Sequence, residues 1–479
     1  MVTILGANSV SGYEISNSLR FNDDDSPLLS ITFGQAPTNA QKCTFSMWYK
    51  MTAVAASTSH IYRYNDGSDT GGFNIRSDDF PHFFFTDSGG GSANLNANPT
   101  AQRDPSAWYH VVIACDTTLS TATNRARMYI NGVEQTTFAT DTVPGQNTTL
   151  IHNANGETYY VGGDGQSSNR YWDGCLADFY LVDGQQLEPT DFGEYNDDGV
   201  WIPINYTGSC GDNGFKLEFK ETGTSQNAAG IGADTSGSGN HFAVANLAAT
   251  DVITDTPTNN FATLNPLSDL NCTFSEGNTE VIRASDAATS CVSTIAPASG
   301  KWYYEFQLSA SNNIAIGVVG LDDWQSGTDL NNYANRAAVM LVESSLNISV
   351  GYVASSSSTT TLQDSTQLVT AKYGMAVDLD NGNMYASANG SYYNSTSGAF
   401  DQSNFSNATA IVTDIPTGEP MAMAFRIAQS AAYVNFGNAG GDDTISSGNA
   451  DANGYGNFEY AVPSGYFALC TKNLAEYGG

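Results

Sequence analysis

The sequence predicts an all-β protein: two antiparallel β-sandwich (jelly-roll) modules joined by a structured connector. Three observations carry this expectation. Short apolar and aromatic runs recur along the 479 residues, separated by clusters of Gly, Asn, Asp, Ser and Pro that break regular structure. No window of a dozen residues sustains a helical period. Asn131-Gly132 supplies the positive φ angles of a two-residue type I′ hairpin, and Asn381-Gly382 closes a second tight hairpin.

In chain order, residues 1–17 are small and polar and read as an arm that docks onto a partner. A first module spans 18–205, with strand-like runs at 18–22, 44–51, 73–75, 82–85, 108–115, 127–130, 159–161 and 176–182. Residues 206–266 form the connector. Within it, 215–219 and 241–244 alternate like edge strands, 234–240 is a tight loop, and 255–266 an extended joint. The second module, 267–479, opens with strand-like runs at 300–306 and 314–319. In its run 373–385, Met375, Val377 and Leu379 share one face while Ala376, Asp378 and Asp380 share the other, a period of two.

Charge narrows the partners. The 49 acidic residues outweigh 17 Lys and Arg, leaving a formal charge of -32. A polyanion needs a basic stripe to release its counterions, so nucleic acid is excluded as a partner, and an anionic membrane surface is disfavoured for the same reason. No stretch reaches the ~20 apolar residues of a membrane-spanning helix, and the start lacks the basic region of a signal peptide. Seven cysteines without a C-x-x-C pair suggest neither a disulfide framework nor a zinc site, but free thiols in a chain made in a reducing cytoplasm.

Catalysis finds little support. Glycoside hydrolysis needs two carboxylates facing one bond, and no Glu-x-Asp-x-Glu strand pattern occurs. All five histidines precede residue 242, so the second module has no histidine base. His110, inside an apolar strand, reads as a satisfied structural histidine. The chain is therefore expected to be non-enzymatic. Binding a glycan asks only for an aromatic face and nearby hydrogen-bonding groups. Tyr171, Trp172, Trp324, Tyr392 and Tyr393 meet that description on turns. Calcium would suit loop acids, with Asp164, Asp212 and Asp234 as candidate ligands beside the run Asp23-Asp24-Asp25.

The ordered series SLRFN, FSMWYK, AWYHVV, RMYINGVEQ, YYVGG and CLADFYLVDGQQLEPTDFG resembles the laminin-G-like, or concanavalin A-like, jelly roll. That resemblance implies a β sandwich that often carries one calcium at its rim. The later series GKWYYEF, IAIGVV, YGMAVDLDNGNMY, YVNFG and PSGY resembles the SPRY domain, a recognition module that presents loops at one end. Together the two modules resemble fibre-like and attachment proteins of tailed phages of marine bacteria. The resemblance implies a virion-surface location after release by lysis, contacts with other virion proteins, a host-surface glycan as ligand, and a closed homo-oligomer, a trimer being usual for appendages. A capsid decoration, head-fibre or tail-collar component with a purely structural role is the rival expectation.

Overall fold

The computed structural model describes residues 12–52, 58–66, 68–86, 91–97, 101–165, 170–268, 271–285, 289–308, 314–324, 337–342, 348–353, 358–362, 371–440 and 443–478. Among the described residues the chain is all-β apart from short 3-10 turns and one terminal helix, Thr471–Tyr477. It divides into two compact units between Thr258 and Asn259.

The first unit is a sandwich of two antiparallel sheets. From edge to edge the first sheet runs Val133–Glu134, Ala126–Ile130, Trp108–Asp116, Lys42–Met51, Gly174–Asp183, Ser18–Phe21 and Val252–Ile253, and Phe215–Leu217 also pairs with Gly174–Asp183. The second runs Thr140–Thr142, Ser92–Asn96, Pro81–Thr86, Thr70–Ile75, Ser59–Asn65, Thr158–Val161, Leu28–Thr32 and Ala243–Ala245. Alternation along each strand sends Phe45, Met47 and Tyr49 from one sheet, and Tyr62, Phe73, Phe83, Phe85 and Tyr159 from the other, into one apolar core. Phe45 tilts against Tyr62 at 5.1 Å, and Tyr62 stacks on Tyr159 at 5.8 Å. The Asn131-Gly132 turn has the expected form: Ile130 pairs with Val133, and the two turn residues take φ of 47° and 78°.

Residues 206–258 fold as part of this unit. Phe215–Leu217 and Ala243–Ala245 extend its sheets, and Val252–Ile253 pairs with Ser18 and Leu19. Buried ion pairs fix the segment further: Lys50 Nζ lies 2.8 Å from Asp255 Oδ2, and Arg20 Nη2 lies 2.8 Å from Asp251 Oδ1. Trp108 Nε1 donates to the second Asp255 oxygen at 3.2 Å. The stretch read as a connector is thus divided, and Phe261, Ala262 and Leu264 beyond it are buried in the second unit. The end of the expected arm is also built in. Ile15 packs on Trp48 and Ala177, and Tyr13 donates from its hydroxyl to Asp178 Oδ2 at 2.6 Å; residues 1–11 lie outside the described residues.

The second unit is likewise two sheets. One runs Thr273–Ser275, Glu280–Arg283, Ser430–Asn435, Lys301–Leu308, Lys372–Asp378, Asn383–Ala388, Ser391–Asn394 and Ala399–Gln402, with Phe467–Ala468 parallel to Lys301–Leu308. The other runs Thr289–Val292, Met421–Ile427, Ile314–Gly320, Ala337–Val342, Ile348–Val353 and Ser358–Leu362. Trp302, Tyr304, Phe306, Phe425 and Val434 fill the space between them, joined by Met375, Val377 and Leu379 as their alternation predicts. The Asn381-Gly382 hairpin has a four-residue loop, because Asp378 pairs with Asn383 and its carboxylate accepts the amides of Asp380 and Asn381.

Candidate ligand-binding face

The aromatic residues singled out from sequence are mostly structural. Trp172 is 1 % exposed, edge-on to Tyr49 in the core of the first unit. Tyr392 and Tyr393 are each 7 % exposed: Tyr392 packs on Phe405 and Tyr393 on Phe400. Trp324 leans half-buried on Val292, Ala315 and Val319. Tyr171 is half-buried against Gly163.

The candidate metal ligands are not gathered into one site; among the described residues no three His, Cys, Asp or Glu side chains assemble as a metal-holding group. Asp234 is consumed locally, its carboxylate accepting the amides of Lys216, Ser236 and Asn240 at 2.8–2.9 Å. Asp212 is exposed, and its carbonyl accepts from Gln35 and Asn240. Asp23–Asp25 form an exposed 3-10 turn. Asp164 is buried near the Arg63 guanidinium, whose charge it favours.

Arg63 belongs to a different constellation, on the outward face of the second sheet. Strand register aligns Ser30, Tyr160, Arg63, Gly72, Phe84 and Asn94 in one row across five neighbouring pairings. Asn74, His82 and Asn96 form the next row, with His60 opposite Asn74. A Cβ on Gly72 would lie 2.2 Å from the Tyr62 carbonyl oxygen, so the row has no side chain there. Across that gap the Arg63 guanidinium lies over the Phe84 ring, 5.1 Å from its centre. His82 stacks on the same ring at 4.9 Å, with ring nitrogens 3.2 Å from Asn74 Oδ1 and 3.0 Å from Asn94 Oδ1. The turn Gly162–Gly165 crosses one end of the row, where Gly165 sits against the Tyr160 ring. Arg170 closes that end, with Nη1 3.4 Å from His60 Nε2.

Unpaired polar atoms gather on this face, although they also occur elsewhere, as at both ring nitrogens of the core His152. Arg63 is 7 % exposed, His60 1 % and Asn96 5 %. Yet among the described residues Arg63 Nε and Nη1, His60 Nδ1, Thr70 Oγ1 and Asn96 Oδ1 have no hydrogen-bond partner. Such groups are rare in folded proteins because each forfeits its hydration without return. Burial holds His60 down at about 3 and His82 at about 4, so both are neutral at pH 7, and it lowers Arg63 only to about 10, which leaves it charged. Phe84, Tyr160 and Asn94 remain half-exposed beside these groups. The face therefore combines rings for stacking with donors and acceptors that lack partners.

The period-two signal for it was present in the sequence as His82/Phe84 and Asn94/Asn96. The continuous run Phe83-Phe84-Phe85 hid it, since two of those rings point into the core and one points out.

Several other titratable groups are occupied by the fold. Trp201 Nε1 donates to His110 Nδ1 at 3.0 Å, which places the His110 proton on Nε2, 2.8 Å from Ser46 Oγ; burial pulls this ring to about 3. His110 is the satisfied strand histidine that the sequence suggests. Among the carboxyls that burial raises, Asp178 reaches about 6 and Glu305 about 7. Asp178 accepts from Tyr13, and Glu305 accepts from the Tyr303 hydroxyl and the amides of Glu459 and Tyr460. Neither lines the cleft of about 520 Å³ at the edge of the first sheet, which Gln102, Tyr109, Asn131, Val133, Glu134 and Gln135 border.

Residues 29–190 match the laminin-G-type family model described as the concanavalin A-like lectin/glucanases superfamily. No curated protein matches the chain. Similar solved structures include the mouse laminin α1 chain domains LG4-5, at 10 % identity over 97 % of this chain and 89 % of that one, with a TM-score of 0.29. The SPRY domain of human HERC1 is similar at 13 % identity over 36 % of this chain and 96 % of that one, TM-score 0.27. The native heptameric SAP-like pentraxin of Limulus polyphemus is similar at 17 % identity over 36 % and 79 %, TM-score 0.26. The chain thus carries a laminin-G/concanavalin A-like module of lectin type, a fold compatible with binding carbohydrate or another ligand.

Proposed function

We propose that this chain is a non-enzymatic protein of a bacteriophage particle, displayed on the virion surface, that attaches to host-surface glycans through the outward face of the first unit's second sheet. The observation that carries the reading is the set of buried, unpartnered polar atoms on Arg63, His60 and Asn96 beside the half-exposed rings of Phe84 and Tyr160. A sugar ring stacked there would lay apolar C–H surface on the rings and bring its hydroxyls to the polar groups beside them. The lectin-type fold of residues 29–190 is consistent with it. The phage context rests on the order of the sequence motifs. In that setting the N-terminal arm or another face of the first unit holds the chain to other virion proteins, and closed oligomers multiply weak contacts into firm adhesion. A glycan array probed with oligomeric protein tests the reading: it expects binding that Phe84→Ala weakens, and no cleavage of the bound glycan. Silence across the array, or turnover of a bound glycan, would sink it.

The rival, a purely structural decoration, head-fibre or tail-collar role, draws on one observation. Val133 and Tyr195 are 56 % and 52 % exposed, and the Tyr195 hydroxyl bonds to the Asn131 carbonyl, so both sit at one hairpin. Such an apolar pair suits contact with a neighbouring virion protein. Density for the chain on an intact particle separates the two: a covered Arg63 face favours the structural role, a free one favours attachment.

A further inference from the structure

We propose that the ligand of this face is an acidic saccharide, whose carboxylate or sulfate is taken by Arg63 and Arg170; the inference rests on the face being a carbohydrate site. The first unit holds eleven Lys and Arg residues. Eight of them, Arg20, Lys42, Lys50, Arg76, Arg103, Arg127, Lys216 and Lys220, pair with carboxylates. Arg125 is held by the carbonyls of Leu119, Pro144 and Ser120. Arg63 and Arg170 remain, and among the described residues neither makes an ion pair or donates to a carbonyl.

Those two lie together, with His60 in contact with Arg170 and both guanidiniums disfavouring its protonation. Arg170 also lowers Arg63, and Asp164 offsets part of that repulsion. In a chain of net charge -32, acids to neutralise these two are abundant, yet none among the described residues bonds to them. An arginine withdrawn from water with Nε and Nη1 unbonded loses its hydration without compensation, and an anionic oxygen is the partner that restores most. The ring of Phe84 beneath it fixes the guanidinium plane, which favours a carboxylate or sulfate over a lone hydroxyl. Repulsion from remote acids is screened over ~8 Å at physiological salt, so at contact the local arginine pair decides.

The test uses the whole chain in calorimetric titration with two matched pairs: oligogalacturonate against its methyl ester, and dextran sulfate against dextran. At least one acidic member is expected to bind roughly tenfold or more tightly than its neutral partner. That preference should shrink as NaCl rises from ~50 to ~500 mM. Arg63→Gln should abolish it. Arg170→Gln, at an exposed position that leaves the fold intact, should reduce it several-fold, with Arg170→Lys retaining part. Equal binding of acidic and neutral partners overturns the acidic class while leaving the carbohydrate reading standing. Binding that Arg170→Gln leaves unchanged, or a DNA oligonucleotide bound as tightly as the acidic sugars, overturns it too. Absence of binding to all four and to a broad glycan array removes both readings.

Discussion

Replacing Lys50 with methionine should unfold the first unit at markedly lower temperature. Lys50 and Asp255 are each 2 % exposed at the side chain and 2.8 Å apart, separated by 205 residues in sequence. Methionine fills much of the lysine volume, so packing changes little. The Asp255 carboxylate keeps Trp108 Nε1 but loses its ammonium inside the protein. Breaking a buried pair in this way costs ~3–5 kcal/mol. A unit of this size loses about 2–4 °C in Tm per kcal/mol, so the expected drop is about 6–20 °C. Differential scanning calorimetry reads it directly. In the double variant Lys50→Met, Asp255→Leu the charge is removed altogether, and the loss should be well below the sum of the single losses. A drop under about 2 °C, or a double variant as unstable as that sum, would refute the claim that this pair holds residues 248–258 to the first unit.

Two further outcomes follow from named contacts. Gly72→Ala drives a Cβ to 2.2 Å from the Tyr62 carbonyl, so the strand must shift; the expected loss is ~1–3 kcal/mol by urea unfolding, together with weakened ligand binding as Arg63 is displaced from Phe84. Glu305 is held at about 7 by burial, above its ordinary value of 4.5. Its folded form therefore keeps an extra proton between pH 4.5 and about 7, and this group's contribution to stability falls as pH rises through that window, by at most ~1.4 kcal/mol per pH unit. Glu305→Gln should flatten that slope for the second unit while leaving the amides of Glu459 and Tyr460 an acceptor; an unchanged slope would contradict it.

Much of the fold was legible because it rests on local signals. Period-two alternation placed Met375, Val377 and Leu379 inward, and Asn131-Gly132 named its turn type. The boundary between units was less legible. It depends on pairs such as Lys50–Asp255 and Arg20–Asp251, whose members are more than 200 residues apart and carry no local mark. The site was the hardest part. Trp172, Tyr392 and Tyr393 follow or precede turn residues and look exposed in one dimension, but neighbouring strands and Phe405 cover them. The outward face, by contrast, draws its residues from six strands and a turn, one to three from each, so no contiguous motif announces it. Only register, which sequence does not supply, brings Arg63, Phe84 and Asn94 into line.

The chain's five histidines give a direct map of where a glycan binds, because all lie in the first unit at distinct places. His60 and His82 are on the proposed face, His110 is sealed between Trp48 and Trp201, His152 lies in the core among Phe45, Phe83 and Phe85, and His241 sits in the loop organised by Asp234. With histidine-selective isotope labelling, the imidazole signals can be followed as an oligosaccharide that binds the chain is added. The signals of His60 and His82 should move in proportion to occupancy while His110, His152 and His241 stay fixed. Movement confined to His241, or no movement of His60 and His82 at saturation, would place the binding site elsewhere.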